Sequence, residues 1–392
     1  MICGIDQIDT TGKTVFLRVD FNVPLDKGKI TEPHRIESAM PTIRLILDRS
    51  KKVIIASHLG RPGGRKDPRF SLAPVREYLE KSLSQQVVLA PDCVGSETEE
   101  LARDPNSRIV MLENLRFHPE EEKNDAIFSR ALASLADVYV NDAFGAAHRA
   151  HASTAGMAAF FEIKAAGLLL QRELDYLSRV LTGPEKPFIA ILGGAKVSDK
   201  IGVIKNLLPK LDTLLVGGGM AYTFLKANGI NIGRSLIEQD KISVAKELMT
   251  DAAKHGVKVL LPTDHLTGDE NKENSSTSDV NIPEGRVGLD IGPRTTDRFI
   301  EEIGRSKTVL WNGPVGLFEV EPFDQGSKAL AQALAAHRSD IVSIVAGGDT
   351  VAAVTTAGVA DHITHLSTGG GATLEFLEGR ELPGIKALEK TA

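Results

Sequence analysis

Short apolar runs rich in β-branched residues recur along the 392-residue chain. Each ends in a cluster of Gly, Asp, Asn, His or Arg, and a helix-like stretch follows. In the first half the runs cover 15–19, 53–56, 87–89, 109–112 and 138–140; in the second, 188–192, 213–216, 257–261, 308–310, 341–345 and 363–366. Apolar runs with little alternation read as strands buried on both faces, which is the signature of parallel sheets. The stretches between them are long enough for crossover helices; 241–255 has helical periodicity, with Gly256 just past its end. Alternation of this kind predicts an α/β chain with two doubly wound, Rossmann-like parallel-sheet domains. Between the two sets, 167–181 reads as a helix, amphipathic after its first turn, that stops at Thr182-Gly183-Pro184. The expected organisation is a first domain over 1–167, a connector helix over 168–183 and a second domain over 184–379. The tail, 380–392, is expected to close back on the first domain. Residues 271–279, rich in Ser, Asn and Glu, read as a polar loop.

Length also argues for two cores rather than one. The net charge is −6 and neither half is basic overall, so no nucleic-acid partner or anionic membrane surface is indicated. Any anion site must be a local cluster. Cys3 and Cys93 are the only cysteines, without paired spacing, so neither a disulfide framework nor a cysteine-based metal site is expected. No apolar stretch approaches the roughly 20 residues that span a bilayer. Residues 1–13 lack the apolar core of a secretory signal, which makes the cytoplasm the expected location.

Ligands of open α/β sheets bind beyond the carboxyl ends of the strands, so the residues after each run carry the chemistry. In the first half these are Asp20, Asn22, His58, Arg61, Arg116, His148, Arg149 and His151, with Arg35 after the first loop. Four arginines at successive strand ends fit a small molecule bearing phosphate and carboxylate, because guanidinium forks bind such groups bidentately. His151 taken alone reads as structural. The second half has glycine instead: Gly193-Gly194-Ala195-Lys196 running on to Lys200, Gly217-Gly218-Gly219, Asn312-Gly313 with Glu319 beyond, Gly347-Gly348-Asp349-Thr350, and Gly369-Gly370-Gly371. Backbone N–H groups in such turns cradle phosphates, which suggests a nucleotide face. A tight βα turn needs glycine anyway, so it is the set that carries weight. The common phosphate-loop motifs fail: Gln7 stands where Gly12-Lys13-Thr14 would need glycine, and Tyr222 where a dinucleotide fingerprint starting at Gly217 would need it.

With these residues in view the chain resembles the phosphoglycerate kinase family almost end to end. The resemblance is carried by Arg18-Val19-Asp20-Phe21-Asn22-Val23-Pro24, His58-Leu59-Gly60-Arg61-Pro62, Glu113-Asn114-Leu115-Arg116-Phe117, Asn141-Asp142-Ala143-Phe144-Gly145, His148-Arg149-Ala150-His151, Trp311-Asn312-Gly313-Pro314 and Gly347-Gly348-Asp349-Thr350. It implies reversible transfer between 1,3-bisphosphoglycerate and ADP, giving 3-phosphoglycerate and ATP, by a monomer whose partners are these small molecules. It implies that Asp20, Asn22, Arg35, His58, Arg61, Arg116 and Arg149 bind phosphoglycerate. On the same resemblance Lys196, Lys200, Gly217, Gly218, Asn312, Glu319, Gly347, Gly348, Asp349 and Thr350 bind ATP or ADP, with Asp349 holding Mg²⁺. Arg35, Lys200 and the amides of Gly370 and Gly371 are then expected around the phosphoryl in flight, in a cleft between the domains that closes for transfer. Gly63-Gly64 and Glu32-Pro33-His34 depart from the usual family pattern without removing any of these residues. A nicotinamide-dependent dehydrogenase would share the two-domain build, but the failed fingerprint and the arginine cluster oppose it. A metabolite-sensing module without catalysis would be favoured by loss of Arg35, Lys200 or Asp349, and all three are present.

Overall fold

The computed structural model describes residues 2–389. Its backbone divides into two compact units. One runs up to Asp175 and takes in the C-terminal stretch from Glu381; the other is Tyr176–Arg380. Residues 1 and 390–392 of the expected bounds lie outside the described residues.

In the first unit, six strands form one sheet: β1 (Thr14–Val19), β2 (Lys52–Ala56), β3 (Val88–Leu89), β4 (Ile109–Met111), β5 (Val138–Asp142) and β6 (Lys164–Ala166). Their order is β3-β4-β2-β1-β5-β6, and every neighbouring pair is parallel. Two of the inner strands, β2 and β5, are buried at every position, which explains their apolar runs. β6 is absent from the sequence expectation. Its Lys-Ala-Ala has little strand propensity, and it becomes a strand only by pairing along Tyr139–Asn141 of β5.

In the second unit a matching sheet holds β7 (Phe188–Leu192), β8 (Thr213–Val216), β9 (Lys258–Leu260), β13 (Thr308–Asn312), β14 (Val342–Ala346) and β15 (His365–Leu366). The order is β9-β8-β7-β13-β14-β15, again all parallel. Between β9 and β13 the chain adds a three-stranded antiparallel sheet of β10 (Asp264–Gly268), β11 (Ser276–Asp279) and β12 (Val287–Ile291), with β10 in the middle. The polar loop expected over 271–279 therefore ends in a strand. β11 is Ser-Thr-Ser-Asp with three of its four residues exposed, so no buried face marks it in the sequence.

The long helix Leu168–Thr182 starts where Asp142, the last residue of β5, accepts the Leu170 N–H at 3.0 Å and Thr42 Oγ1 accepts the Leu168 N–H at 3.0 Å. Gly183-Pro184 follow its end, and the division between units falls inside it, after Asp175. The helix Ile242–Lys254 ends ahead of Gly256, whose φ of +72° is the left-handed turn that the sequence marks there. Among the described residues no helix is long and apolar enough to cross a membrane.

Because β7 is buried throughout, Ile191→Ala should cost about 3 kcal/mol through a cavity that neighbours cannot fill. Ile127→Ala, at a position 81% exposed, should cost less than about 0.5 kcal/mol. Urea-unfolding midpoints compare the two; equal shifts would contradict this assignment of the core.

Candidate functional site

Parallel pairing brings the carboxyl ends of β1, β2, β4 and β5 to one edge of the first sheet, and cationic side chains gather there. Asp20 follows β1 and pairs with Arg35, in the first turn of helix His34–Arg49, at 2.5 Å. Burial alone would raise the Asp20 carboxyl, but Arg35, His58 and Arg18 and the Asn22 N–H hold it below its ordinary value. Asn22 Oδ1 accepts the Gly60 N–H at 2.8 Å, tying the loop after β1 to the loop after β2. Arg116, 5% exposed, donates to Gly60 O at 2.7 Å and lies 3.3 Å from a Glu122 carboxylate oxygen. Asn114 fixes the local backbone by accepting the Arg116 N–H at 3.0 Å. Burial first, and then the charge of Arg149, lower the pKa of Arg116, so these two guanidiniums repel across the site. Like charges held this close favour an anion between them. Arg149 Nε donates to His148 Nε2 at 3.1 Å.

His58, 5% exposed, lies with Nδ1 3.2 Å from Arg18 and Nε2 3.9 Å from Asp20. His151 is buried beside Glu121, with a pKa taken down to about 4 by burial and then by Arg18, Arg116 and Arg149. Arg61 is exposed and makes no side-chain hydrogen bond or ion pair among the described residues; of the four expected arginines it alone is untied. Arg18 itself escaped the sequence reading as a site residue. Its signal was a charge inside the apolar run Val15-Phe16-Leu17-Arg18-Val19, a position that costs several kcal/mol unless the charge is partnered.

At the corresponding edge of the second unit, backbone replaces guanidinium. Lys200, 9% exposed, donates from Nζ to Asn312 Oδ1, and Asn312 Nδ2 donates to Ala346 O at 2.8 Å, which fixes its amide orientation. Burial lowers the Lys200 pKa, against the opposing charges of Asp199 and Asp349. Thr350 Oγ1 accepts the Gly313 N–H at 2.7 Å, joining the turns after β13 and β14. Asp349 is exposed in the first turn of helix Gly348–Thr356, with Gly347 as its N-cap. A cavity of about 250 Å³ opens here, lined among others by Gly194, Gly218, Tyr222, Leu236, Glu319 and Asp349. Tyr222 and Leu236, its apolar walls, were not anticipated as lining residues.

The glycines divide into two kinds. A Cβ on Gly218 would stand 2.7 Å from Gly194 N, and one on Gly217 would stand 2.6 Å from Val315 Cβ; these pack turn against turn. A Cβ on Gly348 or Gly370 would meet nothing within 4 Å. Gly370 and Gly371 stand at the start of the seven-residue helix Gly371–Leu377. Lys196 is exposed and unpaired among the described residues.

Residues 5–380, which include both six-stranded sheets, match the family model for phosphoglycerate kinase. A protein of that name from Anaeromyxobacter dehalogenans (strain 2CP-C) is 56% identical, over 98% of this chain and 99% of its own. One from Clostridium novyi (strain NT) is 52% identical over 98% of each. Among solved structures, phosphoglycerate kinase from Coxiella burnetii superposes with a TM-score of 0.88 at 40% identity, covering 99% of both chains. That from Pyrococcus horikoshii OT3 gives 0.86 at 31% identity, over 99% of this chain and 98% of its own. Likeness at this level over essentially the whole length of both partners means that the chain belongs to the phosphoglycerate kinase family, the phosphotransferases that use a carboxyl group as acceptor.

Proposed function

We propose that the arginine-rich edge of the first unit binds phosphoglycerate and the glycine-rich edge of the second binds ADP or ATP. The observation that carries this is the division of donors. Arg35, Arg116 and Arg149 supply charge for a small, highly anionic molecule, whereas glycine turns beside a partly apolar cavity suit a nucleotide. Asp20, Asn22, His58 and Arg61 complete the first site; Lys196, Lys200, Asn312, Glu319 and Gly347 to Thr350 complete the second. This reading makes the protein a cytoplasmic monomer acting on small molecules.

Transfer between 1,3-bisphosphoglycerate and ADP needs no covalent help from protein. The leaving group is already a carboxylate, so catalysis reduces to alignment and charge stabilisation. Arg35 and Lys200 are assigned to the transferred phosphoryl. In the free protein each is held by one short-range partner, Asp20 and Asn312, ready to be exchanged for phosphate oxygens. Asp349 suits Mg²⁺, since one exposed carboxylate is enough for a hard cation that takes its remaining oxygens from phosphates and water. A cation there would offset the nucleotide's charge. With the two ligand sites on separate units, direct transfer requires the units to bring them together and to exclude water.

In a coupled assay Asp349→Ala should raise the Mg²⁺ concentration for half-maximal rate by about tenfold or more, with 3-phosphoglycerate binding unchanged by calorimetry. An unaltered Mg²⁺ dependence removes Asp349 from the site. Arg35→Ala should lower kcat by about a hundredfold, because its partner charge develops fully only in transfer. Arg149→Ala should instead raise KM for 3-phosphoglycerate with a smaller loss in kcat, and matching kinetic signatures would refute this division of roles. In small-angle scattering, the radius of gyration should fall fully only when both ligands are bound, because each alone stabilises closure from one side. A full decrease with a single ligand contradicts the two-ligand mechanism.

A further inference from the structure

One buried guanidinium is used by neither proposed ligand. Arg18, on β1 and 1% exposed, donates from Nε to Ser153 Oγ at 2.8 Å and from Nη1 to the carbonyl oxygen of Val19. Ser153 passes the contact on, donating to Glu121 Oε1 at 2.5 Å, while the Ser153 N–H donates to Glu121 Oε2 at 2.9 Å. Glu121 is wholly buried, so the fork of Arg18 is fixed on one side by a buried carboxylate acting through a serine. Its remaining nitrogen, Nη2, lies 3.2 Å from Nδ1 of His58.

Guanidinium nitrogens carry donors only and stay charged at every working pH. A hydrogen bond between Nη2 and Nδ1 therefore requires the ring nitrogen to accept. A proton on Nδ1 would set donor against donor in a buried place, at the cost of a lost hydrogen bond, and a doubly protonated ring would add a like-charge contact. With Nδ1 accepting, the ring proton of a neutral imidazole is on Nε2. That nitrogen faces the side where Asp20 and Arg35 meet, 3.9 Å from Asp20 Oδ1, too far for a hydrogen bond, so its N–H remains available.

We infer that Arg18 is a positioning residue: it locks His58 as the neutral Nε2–H tautomer, so that the ring presents a fixed donor to the anionic substrate. The inference rests on the reading that His58 faces the phosphoglycerate site. An acceptor nitrogen there would meet the lone pairs of phosphate or carboxylate oxygens; a donor nitrogen binds them. The charged groups around the ring agree. Arg18 from β1, Arg116 from the turn after β4 and Arg35 from helix His34–Arg49 oppose a proton on it, and Asp20 alone favours one while itself paired to Arg35. Burial first, and then the three arginines, hold the ring well below its ordinary pKa. The site thus uses histidine as a neutral donor of fixed direction among arginines.

The deciding experiment has two arms. In the first, long-range ¹⁵N–¹H spectra of the histidine rings are recorded on the ligand-free protein from pH 5.5 to 8, with His58 assigned by its loss in H58Q. His58 should show a protonated Nε2 and a bare Nδ1 throughout. A proton on Nδ1, or a ring that becomes charged near pH 6.5, overturns the inference whatever the kinetics. The second arm measures KM for 3-phosphoglycerate in R18M, R18K and wild type over the same range. Taking ratios to wild type cancels the titration of the substrate. R18M should raise KM by about tenfold at pH 8, where the ring can turn its acceptor to the ligand. That ratio should shrink towards pH 5.5, because losing the Arg18 charge lets the ring protonate and donate from both nitrogens. R18K, which still donates to Nδ1, should restore most of the wild-type KM. A ratio constant with pH, or R18K no better than R18M, overturns the positioning role. Should R18M not fold, the first arm and the R18K ratio still decide. A His58 ring of the expected tautomer whose replacement in H58Q and H58F leaves KM unchanged removes His58 from the substrate site. That result overturns the site reading, and the positioning role with it, while leaving the tautomer standing.

Discussion

In a parallel sheet every strand leaves by the same edge, and here that holds for both six-stranded sheets. Helices must return the chain across the faces, so both faces are closed to solvent and strands such as β2, β5 and β7 are buried along their whole length. Polar chemistry then has one place to collect, the turns beyond the strand ends. Asp20, His58, Arg116 and Arg149 in one unit, and Lys200, Asn312 and Asp349 in the other, stand in or beside those turns. The exchange of turns within a site is equally local: Asn22 reaches Gly60, Arg116 reaches the same Gly60, and Thr350 reaches Gly313.

On the proposed reading, the two edges would hold anions by different means. The first keeps its cations close enough to disturb one another, as the lowered pKa of Arg116 records. Charges this crowded gain little for the free fold, and buried ion pairs often add no net stability. An anion bound between them would relieve the repulsion. The second edge has backbone amides and close-packed glycines, which present dipoles without net charge. A Cβ at Gly218 would push the turn after β8 away from Gly194, so the tight meeting of turns there is itself a requirement for glycine.

How much of this could be read in the sequence follows from where the physical signal is local. Strands buried on both faces announce themselves as apolar runs, and all eleven runs coincide with observed strands: eight match within one residue, 138–140 and 308–310 extend two residues further, and 363–366 shrinks to His365–Leu366. β6, β10, β11 and β12 were not expected as strands; β6 and β11 were hidden because Lys-Ala-Ala and Ser-Thr-Ser-Asp take their conformation from neighbouring strands rather than from their own preferences. Arginines following strand ends were visible as candidates, and the family resemblance gave them roles. The path from Arg18 through Ser153 to Glu121 was not visible, because Arg18 and Ser153 are 135 positions apart and only folding joins them. Tyr222 and Leu236 were missed as cavity walls for the opposite reason: apolar side chains on a helix and in a loop look the same whether they face a core or a ligand.

The return of the chain to the first unit has a bearing on the order in which the protein is made. Gly384 N–H donates to Ala147 O at 2.8 Å, Asn141 Nδ2 to Gly384 O at 3.3 Å, and Lys164 Nζ to Ala387 O at 2.7 Å. The loop that carries Arg149 is therefore braced by residues that leave the ribosome after every strand of the second unit. Domains generally fold as units in the order of synthesis, but here the unit begun first is finished last. Until then its cationic edge lacks that brace, so an interrupted chain can hold a complete second sheet beside an unfinished first one. The late segment works as a latch that reaches the arginine-rich edge only after the strands of the second unit have been made.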